Sequence, residues 1–195
     1  MQEADARKWW TIKLRVPSIY TRRIDWLVYE AYRTQTPKWL NIWSVKFGAD
    51  ILPTKRNQQR RGHSDNHECP CCGEPFENAV QLFQCKEAKM IGTYNNAVDK
   101  IKDYLHETTN RAIRISILDT IHSIRNDVTP TLTSDDAAST AAFHQKSMGV
   151  RALLNGIWLQ DWIPLQEQHY KSIRSRKSPR VWLTRLALLL QLFST

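Results

Sequence analysis

Apolar residues recur at intervals of three and four along most of the chain, the spacing of helices that bury one face. Met90, Tyr94, Val98, Ile101 and Leu105 follow one another at four, four, three and four residues, and beyond Thr109 the residues Ile113, Ile117, Ile121 and Ile124 repeat the pattern. Two such stripes in succession predict an antiparallel helical hairpin. Upstream, Ile24, Leu27, Val28 and Ala31 mark one face of a helix over 19–32, widened by Trp26, Tyr29 and Tyr32. Trp39, Leu40, Trp43 and Phe47 mark the next, opened by Thr36-Pro37 and closed by Gly48. Downstream, Ser134 is the expected N-cap of a helix with Asp135 and Asp136 in its first turn, running to about Met148. Another helical stretch starts at Val150, and Ser178-Pro179 opens a terminal helix carrying Trp182, Leu186 and Leu189. Strand signals are weak, the best being short extended pieces beside the cysteines.

The expected fold is therefore mainly α: a helical bundle with a small cysteine-rich, zinc-knuckle-like hairpin inserted between helices. The Thr/Pro-rich stretch 128–134 reads as a linker. It would separate a helical domain, 1–127, containing the knuckle-like segment 63–85, from a basic helical tail, 135–195. With only 6 Gly but 8 Trp in 195 residues, long helices with bulky anchors are favoured over a sandwich or barrel. Trp158, Trp162 and Trp182 are expected in the core.

Net charge of +9 conceals a pattern. Residues 1–62 carry 13 Lys/Arg against 5 Asp/Glu, 63–145 carry 7 against 12, and 146–195 carry 8 against 2. Basic ends around an acidic middle imply either an anionic partner or complementarity within the chain. No charged and apolar leader opens the sequence, and the longest apolar run, 186–193, is broken by Gln191. The expectation is a soluble intracellular protein of nucleus or cytoplasm, without a membrane partner. In a reducing compartment the 4 cysteines stay thiols, which raises metal binding.

Cys69-Pro70-Cys71-Cys72-Gly73 is a knuckle turn, in which two thiolates point to one side and glycine relieves the tight backbone. Cys85, at the end of an expected helical turn over 77–84, can return a third sulfur. Cys-x-x-Cys as a redox pair would need a thioredoxin-like strand and helix setting, which the helical surroundings do not offer.

Taken together, Trp39, Trp43, Lys46, Leu52-Pro53-Thr54, Arg60-Arg61, Cys69-Pro70-x-Cys72-Gly73, Glu77 and Cys85 resemble the zinc-binding domain that follows the polymerase in retroelement reverse transcriptases of the non-LTR type. The likeness covers 39–85 in order and spacing. More loosely, Trp158, Trp162, Gln166, Gln168-His169-Tyr170, the basic run 174–177 and Trp182 are similar to the helical tail of some retroelement-derived reading frames, over 150–185. The resemblance implies a detached or decayed fragment that binds zinc and contacts nucleic acid, with other retroelement proteins as further partners. Where the family has a histidine ligand, this chain has Gln81, whose amide is a poor zinc ligand. The expected set is thus Cys69, Cys72, Cys85 and His67, with His63 and Cys71 as alternatives for the fourth position.

Lys55, Arg56, Arg60 and Arg61, separated by Asn57, Gln58 and Gln59, are the first expected contact to RNA or DNA phosphates. Lys171, Arg174, Arg176, Lys177 and Arg180, flanked by Tyr170 and Trp182, are the second. No carboxylate set of the kind two-metal phosphoryl transfer requires is apparent, and the histidines lie on separate helices without a glycine-flanked nucleophile. The chain reads as a non-enzymatic nucleic-acid-binding accessory module; the other reading is a non-catalytic helical interaction domain or relic with an empty cysteine site.

Overall fold

The computed structural model describes residues 5, 8–9, 12–13, 16–126, 130–131 and 134–194. In chain order the helices are α1 (Ser18–Thr21), α2 (Trp26–Gln35), α3 (Lys38–Gly48), α4 (Lys55–Arg60), α5 (Gln81–Gln84), α6 (Ala88–Thr108), α7 (Arg111–Asn126), α8 (Ala137–Ser147), α9 (Val150–Leu154), α10 (Trp162–Ser172) and α11 (Pro179–Leu189), closed by a 3-10 turn at Leu190–Ser194. The fold is mainly α, and no strand occurs among the described residues. One isolated antiparallel bridge joins Ile24 to Leu159. The pieces expected to be extended beside the cysteines form no strand, and two hydrogen bonds join them across the knuckle: Cys69 N donates to Glu74 O at 2.9 Å and Glu77 N to His67 O at 2.8 Å.

The two predicted stripes form the hairpin α6–α7 and are buried from Tyr94 to Ile124, whereas Met90 stays half exposed at the margin. Ala138, Ala141 and Ala142 bury the face of α8 that packs on α7, their small side chains allowing close approach. Trp182, Leu183, Leu186 and Ala187 of α11 pack towards α2. At the α6–α7 corner, Gln166 of α10 is fully buried yet satisfied: its Nε2 donates to Thr108 O at 2.7 Å, and its Oε1 accepts from Thr109 Oγ1 at 2.6 Å. Trp158, Trp162 and Trp182 are all core residues.

Most of the proposed linker, residues 128–129 and 132–133, lies outside the described residues. One hydrophobic cluster takes side chains from both sides of it, from Val28 and Ile117 to Trp162 and Leu186, so the helices after the linker share their core with the preceding ones. Ion pairs also tie the two basic ends to each other: Arg23 to Asp161 at 2.5 Å, Arg151 to Asp50 at 3.1 Å, and Arg180 to Asp25 at 2.9 Å. Asp161 also meets His144 Nδ1 at 3.0 Å.

Three expected helices have different bounds. The one expected over 19–32 is split, because the buried Asp25 carboxylate accepts from Val28 N at 3.0 Å and starts α2 afresh as its N-cap. Asp136, not Ser134, caps α8, accepting from Ala138 N and Ser139 N at 2.9 Å each. The Ser134 hydroxyl instead donates to the Asp136 carboxylate, and these bonds hold that carboxyl down at about 2. The stretch from Val150 stops at Leu154, since Gly156 turns the chain at φ +73°.

A Cβ at Gly156 would lie 2.6 Å from the ring of Tyr32, which is itself buried. Gly156→Ala is therefore expected to cost about 1–3 kcal/mol through overpacking and left-handed strain. That corresponds to a fall in Tm of roughly 2–12 °C for a chain of this size, readable by circular dichroism. An unchanged Tm would show that Tyr32 moves aside freely.

Candidate metal centre and the basic helix attached to it

The sulfurs of Cys69, Cys72 and Cys85 all lie within 4.8 Å of one another. Cys69 Sγ and Cys85 Sγ are 3.9 Å apart, too far for a disulfide but close to the edge of about 3.8 Å that a tetrahedron with 2.3 Å metal–sulfur bonds requires. The three thiols could hold a metal ion.

Local chemistry explains how they converge. Gly73, at φ +71°, lets the knuckle close, with Gly73 N donating to Cys69 O and Cys69 N to Glu74 O, both at 2.9 Å. Asn78 Oδ1 accepts from Val80 N at 2.9 Å and Gln81 N at 3.0 Å, starting the one turn of α5 that delivers Cys85. The helical turn expected over 77–84 is thus confined to Gln81–Gln84. Behind it, Phe83 meets Phe47 edge-on at 5.4 Å, and Trp43 stacks on Phe47 at 5.2 Å. The tryptophan-bearing helix α3 thereby supports the element that carries the third sulfur. From the other side Arg125 Nη2 donates to Cys85 O at 3.1 Å, and Gln84 Nε2 to Ile124 O at 3.3 Å, docking the module on α7.

Hydrogen bonds from the backbone N–H groups of Lys86 and Glu74 draw the Cys72 thiol down to about 7, whereas burial pushes Cys85 up to about 12. Of these two, Cys72 is the sulfur more easily made a thiolate. Gln81 is buried against it: Nε2 donates to Cys72 Sγ at 3.4 Å, and Oε1 is enclosed without a hydrogen-bond partner.

The other candidates for the fourth position lie elsewhere. His67 is not among the converging ligands; its ring stacks on Phe76 at 4.5 Å, and its Nδ1 is 3.0 Å from Gln59 Oε1. Cys71 and His63 are exposed and also outside the group.

Glu77 has a different part. Its Oε2 accepts from Lys55 N at 2.6 Å, its carbonyl accepts from Arg56 N at 3.2 Å, and its own N–H donates to His67 O at 2.8 Å. The residue between the knuckle and Cys85 thus satisfies the first amides of α4, where a carboxylate also suits the helix dipole. Thr54 Oγ1 and the buried Asn57 complete the attachment, Asn57 Nδ2 donating to Asp50 O at 2.8 Å and Leu52 O at 2.9 Å. Glu77→Gln should weaken this charge-assisted cap by about 1–2 kcal/mol. Faster amide exchange at Lys55 and Arg56, with exchange in α6 unchanged, is the expected signature; uniform slowing or no change would show that the cap is dispensable.

The two predicted basic clusters differ in the fold. Arg56, Arg60 and Arg61 are exposed and Lys55 is partly so, and among the described residues none forms an ion pair. In the second cluster Lys171 pairs with Glu167 at 2.9 Å, while Arg180 neutralises the buried Asp25 and belongs to the helix contacts. Arg174, Arg176 and Lys177 remain exposed, with Arg174 at φ +53°. Two cations that sequence reasoning missed, Lys13 and Arg151, line one cleft with Arg56 and Arg60. Their distance along the chain left no linear signal.

No family model, curated protein or solved structure matches the chain. No helix among the described residues is long and apolar enough to cross a membrane.

Proposed function

We propose that this chain is a nucleic-acid-binding accessory module, derived from a retrotransposon reverse transcriptase, that holds zinc at Cys69, Cys72 and Cys85 and has no polymerase activity of its own. The observation that carries the reading is the Glu77 attachment, through which the cysteine module organises the helix bearing Lys55, Arg56 and Arg60. Three converging thiols suit zinc, a thiophilic ion indifferent to geometry beyond its tetrahedron. A bound ion would fix the knuckle, the knuckle would fix Glu77, and Glu77 would hold the cations of α4 in one presentation. RNA or DNA would be gripped by its phosphates, without direct reading of bases. The order of Trp43, the basic helix, the knuckle and Cys85 supports the retroelement origin, since each of these parts has a physical role in the same small module.

Fluorescence anisotropy with labelled single-stranded and duplex oligonucleotides, titrated with salt, tests the binding. If three or four phosphates are neutralised, log affinity should fall against log salt with a slope between about −2 and −4. Absence of binding to either at 50 mM salt would sink the proposal. It would transfer support to the interaction-domain reading, for which the exposed Trp39, Ile42 and Val45 on α3 offer an apolar surface.

A further inference from the structure

The cleft that α4 shares with the turn at 49–51 and with α9 has a volume of about 660 Å³, within the range of binding pockets. Lys13, Arg56, Arg60 and Arg151 line it, drawn from three separate parts of the chain, and among the described residues Asp50 is its one carboxylate. Asp50 pairs with Arg151 at 3.1 Å, and among the described residues no carboxylate pairs with the other three cations. A fold that gathers four positive side chains around a cavity opposite one negative group focuses a field that favours an anion.

We propose that this cleft seats the phosphodiester backbone of a single nucleic-acid strand. The proposal rests on the nucleic-acid reading of α4 and extends it to Lys13 and Arg151, which no linear cluster contains. Arg56 and Arg60 are four residues apart and so share one face of α4. The wall they form is rigid: the buried Asn57 between them clamps the carbonyls of Asp50 and Leu52, and Asp50 at φ +57° reverses the chain towards the cleft. Such a wall presents its cations on a backbone already ordered, so binding has only their side chains left to order. A duplex is too wide to enter a cavity of this volume, whereas one extended strand can lay successive phosphates into it. Ile12 and Ile51, both largely exposed in the lining, offer sugars an apolar contact. Among the described residues the lining has cations with aliphatic neighbours and no side-chain amide, a surface that grips a backbone without selecting a sequence.

The full chain would be titrated against a fluorescein-labelled 12-residue DNA strand of mixed sequence, the same strand annealed to its complement, and polyphosphate as competitor. The single strand should bind more tightly than the duplex. Arg151→Gln and Lys13→Gln should each weaken it by about fivefold and reduce the salt slope by about 0.7, the share of one phosphate on a single strand. Asp50→Asn, which keeps a residue tolerant of positive φ, should tighten binding by about twofold to threefold, a gain that a purely structural role for Asp50 would not produce. Lys100→Gln on the exposed face of α6 removes the same charge and should change little. If Arg151→Gln and Lys13→Gln bind like the parent while Arg61→Gln weakens, the cleft assignment fails and the nucleic-acid reading stands. No binding of the parent to strand or duplex overturns both. Tighter duplex binding, or displacement by polyphosphate at equal phosphate concentration, overturns the assignment to a single nucleic-acid strand.

Discussion

Cys85→Ser is expected to abolish metal retention and to free the amides of α4, leaving the main helical bundle folded. Cys85 is buried, and its sulfur lies 3.9 Å from that of Cys69 across sixteen residues of chain. A serine hydroxyl is a poor ligand for zinc, so the variant retains two thiolates on one turn, too few to hold the ion. Zinc bound by four ligands contributes about 10–16 kcal/mol to the folding of small domains. A three-sulfur site holds less, yet its loss remains the largest change available to one substitution in this segment. The bundle should survive because Ile101, Leu105, Ile113, Ile117 and Ile121 share a core that also takes buried side chains from α2, α8, α10 and α11. The checks are zinc per chain after purification without chelator, and amide exchange at Lys55 and Arg56, which Glu77 holds in the intact module. Near-stoichiometric zinc in the parent and none in the variant, with helical circular dichroism largely kept, is the expected pair of results. Zinc absent from both, or equal in both, would remove the metal from the account of how α4 is organised.

The parts legible in the sequence were those that depend on local periodicity. The isoleucine stripe of α7 could be read because each buried position is set by the helical repeat and little else. Gly73 and the Cys69–Cys72 spacing announced a turn that backbone geometry alone requires. Asp25 was overlooked as a helix start because its neighbours continue the apolar rhythm; only the buried carboxylate on Val28 N shows that the helix begins anew there. The fourth-ligand candidates were judged by nearness along the chain, which brought in His67, whereas the fold directs that ring onto Phe76 and brings Gln81 to the sulfurs. Arg180 read as a nucleic-acid contact because its partner, Asp25, lies 155 residues away. The basic cleft was hidden for the same reason: Lys13, Arg56 and Arg151 meet only once α9 is folded against α3 and the turn at 49–51.

Gln81→His should tighten zinc binding substantially. Gln81 is buried with its amide against Cys72 Sγ, so the site already holds a side chain of about the right reach where a fourth ligand belongs. Its Oε1, enclosed without a partner, marks the position as imperfectly satisfied. An amide contributes a hydrogen bond to a thiolate, whereas an imidazole nitrogen bonds to the ion itself. If about 10–16 kcal/mol is shared roughly equally among four ligands, the added imidazole is worth about 3 kcal/mol, or about a hundredfold in affinity. Competition with a chromogenic chelator gives the number directly. Arg125 and Phe83 still fix Cys85 from behind, so the gain should come with slower amide exchange through α5 and the start of α4. A variant that binds zinc no better than the parent would mean that position 81 does not face the ion. Gln81 would then be a packing residue that steadies Cys72, and the three sulfurs would take their fourth ligand from outside the chain.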